Sequence, residues 1–231
     1  MVPRKTLFKN EVFIRSLFAL HLKGKNHRCS LCKKNLKKFI KIPDGDILCP
    51  FCGSRSRTRR LYNFLLEISL LRGKILHFSP SRSLYRVFSK NADITYYSTD
   101  FQDEFIAKYN YNITKIPVEN NYFDLIICYH ILEHIEDDKA AMSELSRVLK
   151  KGGNCIIQTP FKVGSIYEDF SKTTKSERLK AFGQEDHVRV YSVQGLKERF
   201  LQNGFTEVEV KNFPKNDFYG LINETVLIAK K

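Results

Sequence analysis

The sequence predicts an α/β fold built on a mostly parallel, doubly wound sheet, and three neighbouring segments carry this prediction. Residues 123–128 form a short apolar run, which is typical of a strand buried on both faces. A helix is expected over residues 137–150, because its apolar positions recur every three to four residues. Residues 154–159 form a second buried strand. Because strand–helix–strand crossovers close with a right hand, both strands are expected to lie parallel in one sheet.

The same patterns predict the remaining elements along the chain. An amphipathic, basic helix is expected over residues 6–22, and a helix with a buried stripe that includes Leu61, Phe64 and Leu65 leads to residue 72. The other predicted elements are strands over residues 74–78, 94–99, 206–210 and 225–229, a helix that ends near residue 90, and a helix over residues 192–204. The first helix is expected to pack on its own domain, with contact to a membrane surface as the alternative.

The charge of the chain is strongly positive and unevenly spread. The formal net charge is +14 over 231 residues, and residues 23–60 carry +10 of it. Such a patch fits an anionic partner such as RNA, and a solvated lysine-rich surface explains it equally well. No apolar run reaches the roughly 18 residues that a membrane-spanning helix needs. Arg15 interrupts the apolar stretch near the start, so a cytoplasmic protein is expected.

Four of the six cysteines form two CxxC pairs, Cys29 with Cys32 and Cys49 with Cys52. Each CxxC turn directs two thiolates at one point, and two such turns complete the tetrahedron that Zn²⁺ prefers. Two disulfides are the alternative, which a cytosolic location disfavours. The sequence therefore predicts a zinc ribbon whose metal has four protein ligands and a structural role.

Arginines crowd the start of the helix that follows the ribbon. Arg55, Arg57, Arg59 and Arg60 lie where a helix dipole opposes positive charge. These arginines are expected either to bind an anion or to be solvated. The other two cysteines, Cys128 and Cys155, fall inside the predicted core strands and are expected to be inert.

The stretch FDLIICYHILEHIEDDKAAMSELSRVLKKGG, which runs from Phe123 to Gly153, resembles the fourth-strand region of class I S-adenosylmethionine (SAM) dependent methyltransferases of the type 11 group. The resemblance implies a Rossmann-like, seven-stranded sheet that is parallel except for its last strand. It also implies an enzyme with SAM as co-substrate. The expected division of the chain is an amphipathic helix over residues 1–22, a zinc ribbon over 23–60 and a methyltransferase domain over 61–231.

The resemblance also assigns cofactor-binding positions. The first turn of such domains is usually rich in glycine, whereas here it contains none and is similar to a subset whose turn follows an L-H-F-x-P pattern. Asp100 is expected to accept hydrogen bonds from the ribose diol, and Asn112 replaces the aspartate that usually meets adenine. The complete set implied for SAM is His77, Phe78, Ser79, Pro80, Asp100, Phe101, Asn112, Ile113 and Tyr129.

Histidines are the candidates for catalysis, because an imidazole acts as a base near neutral pH. His187 lies in an HVR-Y segment that covers the substrate site in similar proteins, so it is expected to be the base or to bind the acceptor. His130 follows the fourth strand and is expected to line the methyl-transfer pocket, with His134 as a structural neighbour. Residues 161–189 are expected to form a long lid.

Three functions compete at this point. The first is methyl transfer to an oxygen, or an unclassified nitrogen, of a small-molecule or saccharide acceptor, because the tetrapeptides typical of exocyclic amine methylation and the Pro-Cys pair of base C5 methylation are missing. The second is an RNA methyltransferase that grips phosphates with the basic ribbon. The third is a non-catalytic zinc-ribbon adaptor with a degenerate methyltransferase domain.

Overall fold

The computed structural model describes the backbone of residues 4–231, and the side chains of Phe8 and of residues 10–231. The predicted segment 1–22 therefore lies partly outside the described residues. The described chain forms six α-helices, which are α1 (Arg4–Phe18), α2 (Ser56–Glu67), α3 (Arg82–Phe88), α4 (Asp138–Val148), α5 (Lys175–Phe182) and α6 (Val193–Gln202).

The described residues form thirteen strands, which pair in four sheets. The amino-terminal group is β1 (Lys23–Arg28), β2 (Asn35–Leu36), β3 (Ile40–Lys41) and β4 (Ile47–Leu48). The later strands are β5 (Gly73–Phe78), β6 (Ile94–Thr99), β7 (Phe123–Tyr129), β8 (Leu149–Gln158), β9 (Phe161–Lys162), β10 (Tyr167–Glu168), β11 (Arg189–Ser192), β12 (Glu207–Phe213) and β13 (Glu224–Lys230). Strands β9 to β11 form a small sheet of their own in the order β10-β11-β9.

The central sheet confirms the predicted Rossmann-like α/β architecture. Its spatial order is β12-β13-β8-β7-β5-β6. Strands β6, β5, β7 and β8 run parallel to one another, whereas β13 lies antiparallel to both β8 and β12. The last strand is thus antiparallel, as expected, but the sheet formed by the described residues has six strands instead of seven.

The seventh strand is reduced to one bridge at the edge of β6. Tyr109 pairs with Thr99 in parallel orientation, and the pairing stops there. The next ladder position is lost because the Thr99 side chain, through Oγ1, accepts the Tyr111 N–H at 2.7 Å. Asn110 turns its side-chain amide onto the carbonyls of Asp100 and Phe101. Side chains thus take over hydrogen bonds that a full edge strand would form with its backbone.

The core lies on both faces of this sheet. Helices α4 and α6 pack on one face, where Met142 and Phe200 are fully buried. Helices α2 and α3 cover the other face together with the CxxC cysteines, so the amino-terminal strands share a core with the sheet. Helix α2 also runs across the expected boundary between residues 60 and 61, and the division into ranges 1–22, 23–60 and 61–231 stays a prediction.

The predicted crossover is present, with a shorter helix and a longer second strand. Asp137 caps α4, because its side chain accepts the Ala140 N–H at 2.9 Å. The helix ends at Val148 and β8 begins at once. Gly152 lies inside β8 and has a left-handed φ of 75°, which glycine adopts without strain. This residue therefore belongs to the strand and does not terminate α4.

Helix α1 turns its polar side inward. Glu11 forms ion pairs with Arg86 and, at 2.8 Å, with Arg15 of its own helix. Phe8 packs edge-on against Tyr85 with ring centroids 5.7 Å apart. Phe18 is 77% exposed, so part of the apolar side faces outward. Among the described helices, none combines the length and the apolar character that crossing a bilayer requires.

Candidate functional site

The four CxxC cysteines converge on one point, as predicted. Cys29 Sγ lies 3.7 Å from Cys52 Sγ, and Cys32 Sγ lies 3.8 Å from Cys49 Sγ. All four sulfur atoms lie within 4.8 Å of one another. A tetrahedral site with Zn–S bonds of about 2.3 Å places its sulfur atoms about 3.8 Å apart. The cluster therefore fits one Zn²⁺ bound by four thiolates, with no ligand position left for a substrate.

Two equivalent turns hold these sulfur atoms. Lys33 N–H donates to the Cys29 carbonyl at 2.8 Å, and Gly53 N–H donates to the Cys49 carbonyl at 2.9 Å. Lys33 and Gly53 both have left-handed backbones, with φ of 63° and 71°. Glycine adopts this conformation without strain in the second turn, while a lysine adopts it in the first.

Arg59 and Arg60 correct the expectation that the arginines of α2 bind an anion or are solvated. Both side chains are buried against the backbone of the segment 214–222, which connects β12 to β13. Their carbonyl acceptors in this segment are Tyr219 and Gly220 for Arg59, and Pro214 and Ile222 for Arg60. These arginines therefore fasten the carboxyl-terminal part of the chain to the cysteine cluster.

Arg59 also balances the charge of the cysteine cluster. Burial lowers the pKa of Arg59, and the nearby thiolates of Cys29, Cys49 and Cys52 oppose that shift. Four thiolates around one Zn²⁺ leave about two negative charges in a buried site. A buried guanidinium beside them reduces the cost of that charge.

Arg57 connects the same helix to the carboxyl end of β7. Its Nη1 lies 2.8 Å from His130 Nε2. A guanidinium only donates, so Nε2 accepts and a neutral His130 carries its proton on Nδ1. That Nδ1 lies 3.2 Å from Glu133 Oε1. Burial lowers the pKa of His130, and the Arg57 charge acts in the same direction.

The glycine-free first turn and Asp100 meet, as the predicted cofactor site requires. Ser79 Oγ donates to Asp100 Oδ1 at 2.6 Å, and Ser79 has the left-handed φ of 43°. Asp100 Oδ2 accepts the N–H groups of Glu104 and Phe105 at 2.6 and 2.9 Å. Three of the roughly four lone-pair positions of the carboxylate are therefore used within the protein.

The other predicted cofactor residues divide between the two faces of the sheet. Phe78 and Ile113 are buried in the core on the α4 side, and Pro80 is buried beside the turn. The His77 ring lies on the opposite face, where Tyr96 Oη is 3.0 Å from Nδ1 and burial lowers the pKa of His77 to about 3. The His77 side chain therefore belongs to the core.

The remaining three positions are Asn112, Phe101 and Tyr129. Asn112 Oδ1 accepts two hydrogen bonds from Thr114, at 2.9 and 2.8 Å, so the oxygen expected to meet adenine is engaged locally. Phe101 is 59% exposed. Among the described residues, the buried hydroxyl of Tyr129 has no hydrogen-bond partner, and the side chain packs on the α2 side of the sheet.

The HVR-Y segment is fastened to the corner that follows β7. Val188 N–H donates to the Glu133 carbonyl at 2.9 Å. Buried Arg189 donates to the carbonyls of Leu132 at 3.1 Å and Glu136 at 2.7 Å. The two stretches that resemble methyltransferases, about 50 residues apart, thus form one structure. This contact fixes the start of β11 and determines where His187 lies.

The contact brings His187, His134 and Glu133 together. One ligand-type atom from each residue lies within 4.8 Å of the others, and the two imidazole rings are 4.7 Å apart in an edge-to-face arrangement. The carboxylate of Asp186, which precedes His187 in the sequence, pairs with His134, with Oδ2 at 3.1 Å from Nδ1. The Glu133 side chain, which the sequence did not single out, is 1% exposed. Its adjacency to His134 was the one available signal.

The pKa values of His187 and Glu133 both lie below their ordinary values, which favours a neutral imidazole and an ionised carboxylate. Burial lowers the pKa of His187, and the proximity of His134 lowers it further. Burial opposes the ionisation of Glu133, yet the proximity of His130 holds its pKa below the ordinary value. The cluster therefore combines a buried carboxylate with an imidazole that is neutral at pH 7.

Two surface clefts of the described chain lie apart from these residues. A cleft of about 570 Å³ is lined by residues of β11 and α6 and by Gly164, Ser165 and Ile166. A cleft of about 380 Å³ lies on the ribbon beside Arg28 and Tyr219. No predicted cofactor residue lines either cleft, so the cofactor and catalytic assignments stay predictions.

Comparison with known families identifies the central part of the chain. Residues 81–157 match a family model described as a methyltransferase domain. This range runs from the start of α3 into β8 and includes the corner that carries Glu133 and His134.

Two curated relatives share parts of the sequence. The chain is 34% identical over 85 residues to an uncharacterised protein of Methanocaldococcus jannaschii. This alignment covers 35% of this chain and 37% of the relative. It is 28% identical over 125 residues to an uncharacterised methyltransferase of Schizosaccharomyces pombe, which covers 53% of this chain and 42% of the relative. The aligned part thus spans about two fifths of these curated relatives.

Solved structures show the same fold. A SAM-dependent methyltransferase from Archaeoglobus fulgidus superposes with a TM-score of 0.54 at 14% identity, covering 74% of this chain and 93% of that chain. A likeness at this level of identity establishes the architecture alone.

Proposed function

We propose that the chain is a SAM-dependent methyltransferase of the class I fold, and that it methylates an oxygen of a small-molecule or saccharide acceptor. One observation carries this proposal, namely the cluster of Glu133, His134 and His187 beside the carboxyl end of β7. Open α/β sheets bind ligands at the carboxyl ends of their strands. A neutral imidazole at that edge suits an acceptor hydroxyl that must lose its proton.

The cofactor is proposed to bind along the carboxyl ends of β5 and β6. Ser79 and His130, which follow β5 and β7, both have strained left-handed backbones, and such strain often marks ligand sites. Asp100 has to release at least one of its present donors to accept the ribose diol. We expect residues 101–105 to move on binding, so that the exposed side chain of Phe101 covers the nucleoside.

The proposed transfer balances with one base. The acceptor oxygen attacks the methyl carbon, the carbon–sulfur bond breaks, and the electron pair stays on sulfur as S-adenosylhomocysteine forms. The hydroxyl proton passes to the imidazole of His187. Orientation in a water-excluding site supplies several kcal/mol, and a general base adds about 10²–10⁴-fold. His130 is held by Arg57 and is proposed to shape the pocket beside the methyl group.

SAM binding tests the cofactor assignment. Calorimetry on Asp100→Asn should show affinity lower by about 10- to 100-fold, because hydrogen bonds to a charged group contribute about 1.5–3 kcal/mol. Asp93→Asn, an exposed aspartate near the start of β6, is the matched control. Failure of the unaltered chain to bind SAM would favour the non-catalytic adaptor.

Transfer of labelled methyl groups from SAM in cell extract tests the acceptor. Label in a low-mass or saccharide fraction, lost in His187→Asn and kept in His21→Ala, supports the proposal. Label confined to RNA contradicts it and supports the second candidate.

An RNA methyltransferase remains the second candidate because much of the ribbon surface is basic. Arg59 and Arg60 are buried and have no role in phosphate binding, but eight other cations are exposed. They are Lys23, Lys25, Arg28, Lys33, Lys34, Lys37, Lys38 and Lys41. RNA affinity that falls steeply with salt would favour this function, whereas weak affinity that is flat in salt would exclude it.

A further inference from the structure

We propose that Glu133, His134 and His187 form a second metal site, which takes a divalent first-row transition ion. Two imidazoles and one carboxylate are a ligand set that binds such ions and leaves coordination positions open. One ligand atom of each residue lies within 4.8 Å of the other two, so a small adjustment of side chains brings all three onto one ion.

The carboxylate of Glu133 is the strongest evidence for a missing partner. Its side chain is 1% exposed. Its nearest partner is His130 Nδ1, which lies 3.2 Å from Oε1, and neither oxygen forms a hydrogen bond with the described residues. A single contact of this kind leaves lone pairs of a buried carboxylate unused, and a metal cation can occupy them.

Both imidazoles are held in the way that metal ligands usually are. A ligating histidine normally binds a carboxylate or a carbonyl through its other nitrogen, which fixes the ring. His134 Nδ1 lies 3.1 Å from Asp186 Oδ2, which leaves Nε2 free. The His187 ring interacts with the Phe182 carbonyl, so one of its nitrogens also remains available.

The backbone around the cluster is rigid, and one side is open. Arg189 donates to the carbonyls of Leu132 and Glu136, on either side of the two corner ligands, and Val188 N–H donates to the Glu133 carbonyl itself. The side chain of His134 is 26% exposed and that of Asp186 is 67% exposed. An ion could therefore enter from solvent and keep open positions on that side.

The site lies where the acceptor is proposed to bind, and this step rests on the proposed function. An acceptor hydroxyl at an open position would have a lowered pKa, and its proton would leave to solvent through the exposed side. With the ion bound, His187 would act as a ligand, and its role as base would apply only to the chain without metal at this cluster. Asp186 would be a positioning residue that acts through His134.

Metal counting on the full chain tests the site separately from the cysteine cluster. After loading with Zn²⁺ and dialysis, we expect two zinc ions per chain in the unaltered protein. We expect one in Glu133→Gln and in His187→Ala. The matched controls Glu136→Gln and His21→Ala, whose residues lie outside the cluster, should keep two. The single zinc left in the variants shows that the ribbon is still folded.

Mn²⁺ provides a second probe, because carboxylate and imidazole bind it while four thiolates retain zinc. Electron paramagnetic resonance of the chain loaded with a single equivalent of zinc, which the four thiolates retain, should show saturable binding of one Mn²⁺, lost in Glu133→Gln. One zinc per unaltered chain together with no saturable Mn²⁺ binding would overturn the metal site. SAM binding is measured on the same samples, so failure of the metal site and failure of the methyltransferase assignment give different results.

Discussion

The two groups of metal-ligating side chains in the described part of the chain are built in opposite ways. The cysteine cluster is closed, takes its four ligands from two CxxC pairs within residues 29–52, and has a buried arginine beside it. The cluster of Glu133, His134 and His187 is open on one side and takes ligands from segments about 50 residues apart. The first organises local structure, whereas the second exists only once the sheet and the HVR-Y segment are in place.

On the proposed assignments, the closed cluster serves stability and the open cluster serves chemistry. A closed set of thiolates can contribute folding energy but cannot bind a substrate. An open set with a buried carboxylate bears a desolvation cost that a bound cation reduces. Each of the following predictions tests one side of this comparison.

The largest effect is expected from Cys49→Ser. Structural zinc provides about 10–16 kcal/mol of apparent binding free energy in small zinc domains, so loss of one ligand should remove the ribbon zinc and unfold the amino-terminal strands. Zinc content and thermal unfolding measure this outcome. Cys155→Ala in β8 is the control and should keep its zinc; an unchanged zinc content in Cys49→Ser would contradict the assignment.

Arg59→Met tests whether the cysteine cluster needs its cationic partner. Removing one member of a buried charge pair costs about 3–5 kcal/mol. The substitution also leaves the carbonyls of Tyr219 and Gly220 without their hydrogen-bond donor. The free energy of unfolding in urea should fall accordingly, while the exposed control Arg28→Met should change it by less than about 0.5 kcal/mol. Equal effects of the two substitutions would mean that Arg59 is not a counterion.

Low pH is expected to destabilise both clusters. Protonation of His77 on unfolding also lowers the free energy of unfolding in acid, and this contribution has to be subtracted. The pKa of His77 is about 3 in the folded protein, whereas an unperturbed histidine titrates near 6.5. The unfolded chain therefore binds more protons between these values, so this contribution to stability is complete above pH 6.5 and is lost as pH falls. The loss from pH 6.5 to 5 should be about 2 kcal/mol.

The variant His77→Gln isolates this background. Glutamine does not titrate and can still accept the Tyr96 hydroxyl, so the variant should show a smaller loss of stability between pH 6.5 and 5 than the unaltered chain. The difference between the two proteins at each pH is the His77 contribution. Parallel stability curves would show that His77 is not the source.

The smallest expected effect is that of Glu133→Gln without metal at the second cluster. The proximity of His130 holds the pKa of Glu133 below its ordinary value, so the charge contributes to stability at neutral pH and the substitution should lower the free energy of unfolding by about 1 kcal/mol. Saturating Mn²⁺ should widen this difference, since only the unaltered chain gains binding energy. Glu136→Gln is the control and should respond like the unaltered chain. A difference that Mn²⁺ leaves unchanged would make Glu133 only the structural partner of His130.

The sequence predicts the architecture well where the pattern is local. The β7–α4–β8 crossover follows from apolar periodicity, and the cysteine cluster follows from the spacing of its ligands. Helix α5 falls in a segment expected to be a lid, although Thr174 and Glu177 form the capping box that announces its start. That signal was available from the residues alone.

The rest depends on contacts between distant segments. Nothing local indicates that Arg59 and Arg60 would be buried against the segment 214–222, because their acceptors there are backbone carbonyls more than 150 residues away. The Glu133 side chain is likewise unremarkable until Val188 and Arg189 bring His187 beside it. The seventh strand is missing because the side chains of Thr99 and Asn110 take hydrogen bonds with backbone groups that a strand would use. The strand propensities of single residues do not describe this competition.

The contact between Arg59 and the segment 214–222 affects how the chain matures on the ribosome. Gly220, whose φ is 60°, packs so closely on the Phe39 ring that an added Cβ would lie 2.4 Å from it. The carbonyl acceptors of Arg59 at Tyr219 and Gly220 follow it by 160 and 161 residues, so they are translated much later than the cysteines. A nascent chain can load zinc soon after residue 52 leaves the exit tunnel, but the guanidinium of Arg59 acquires these acceptors only after the segment 214–222 has emerged. Completion of the ribbon therefore requires the closure of a long loop.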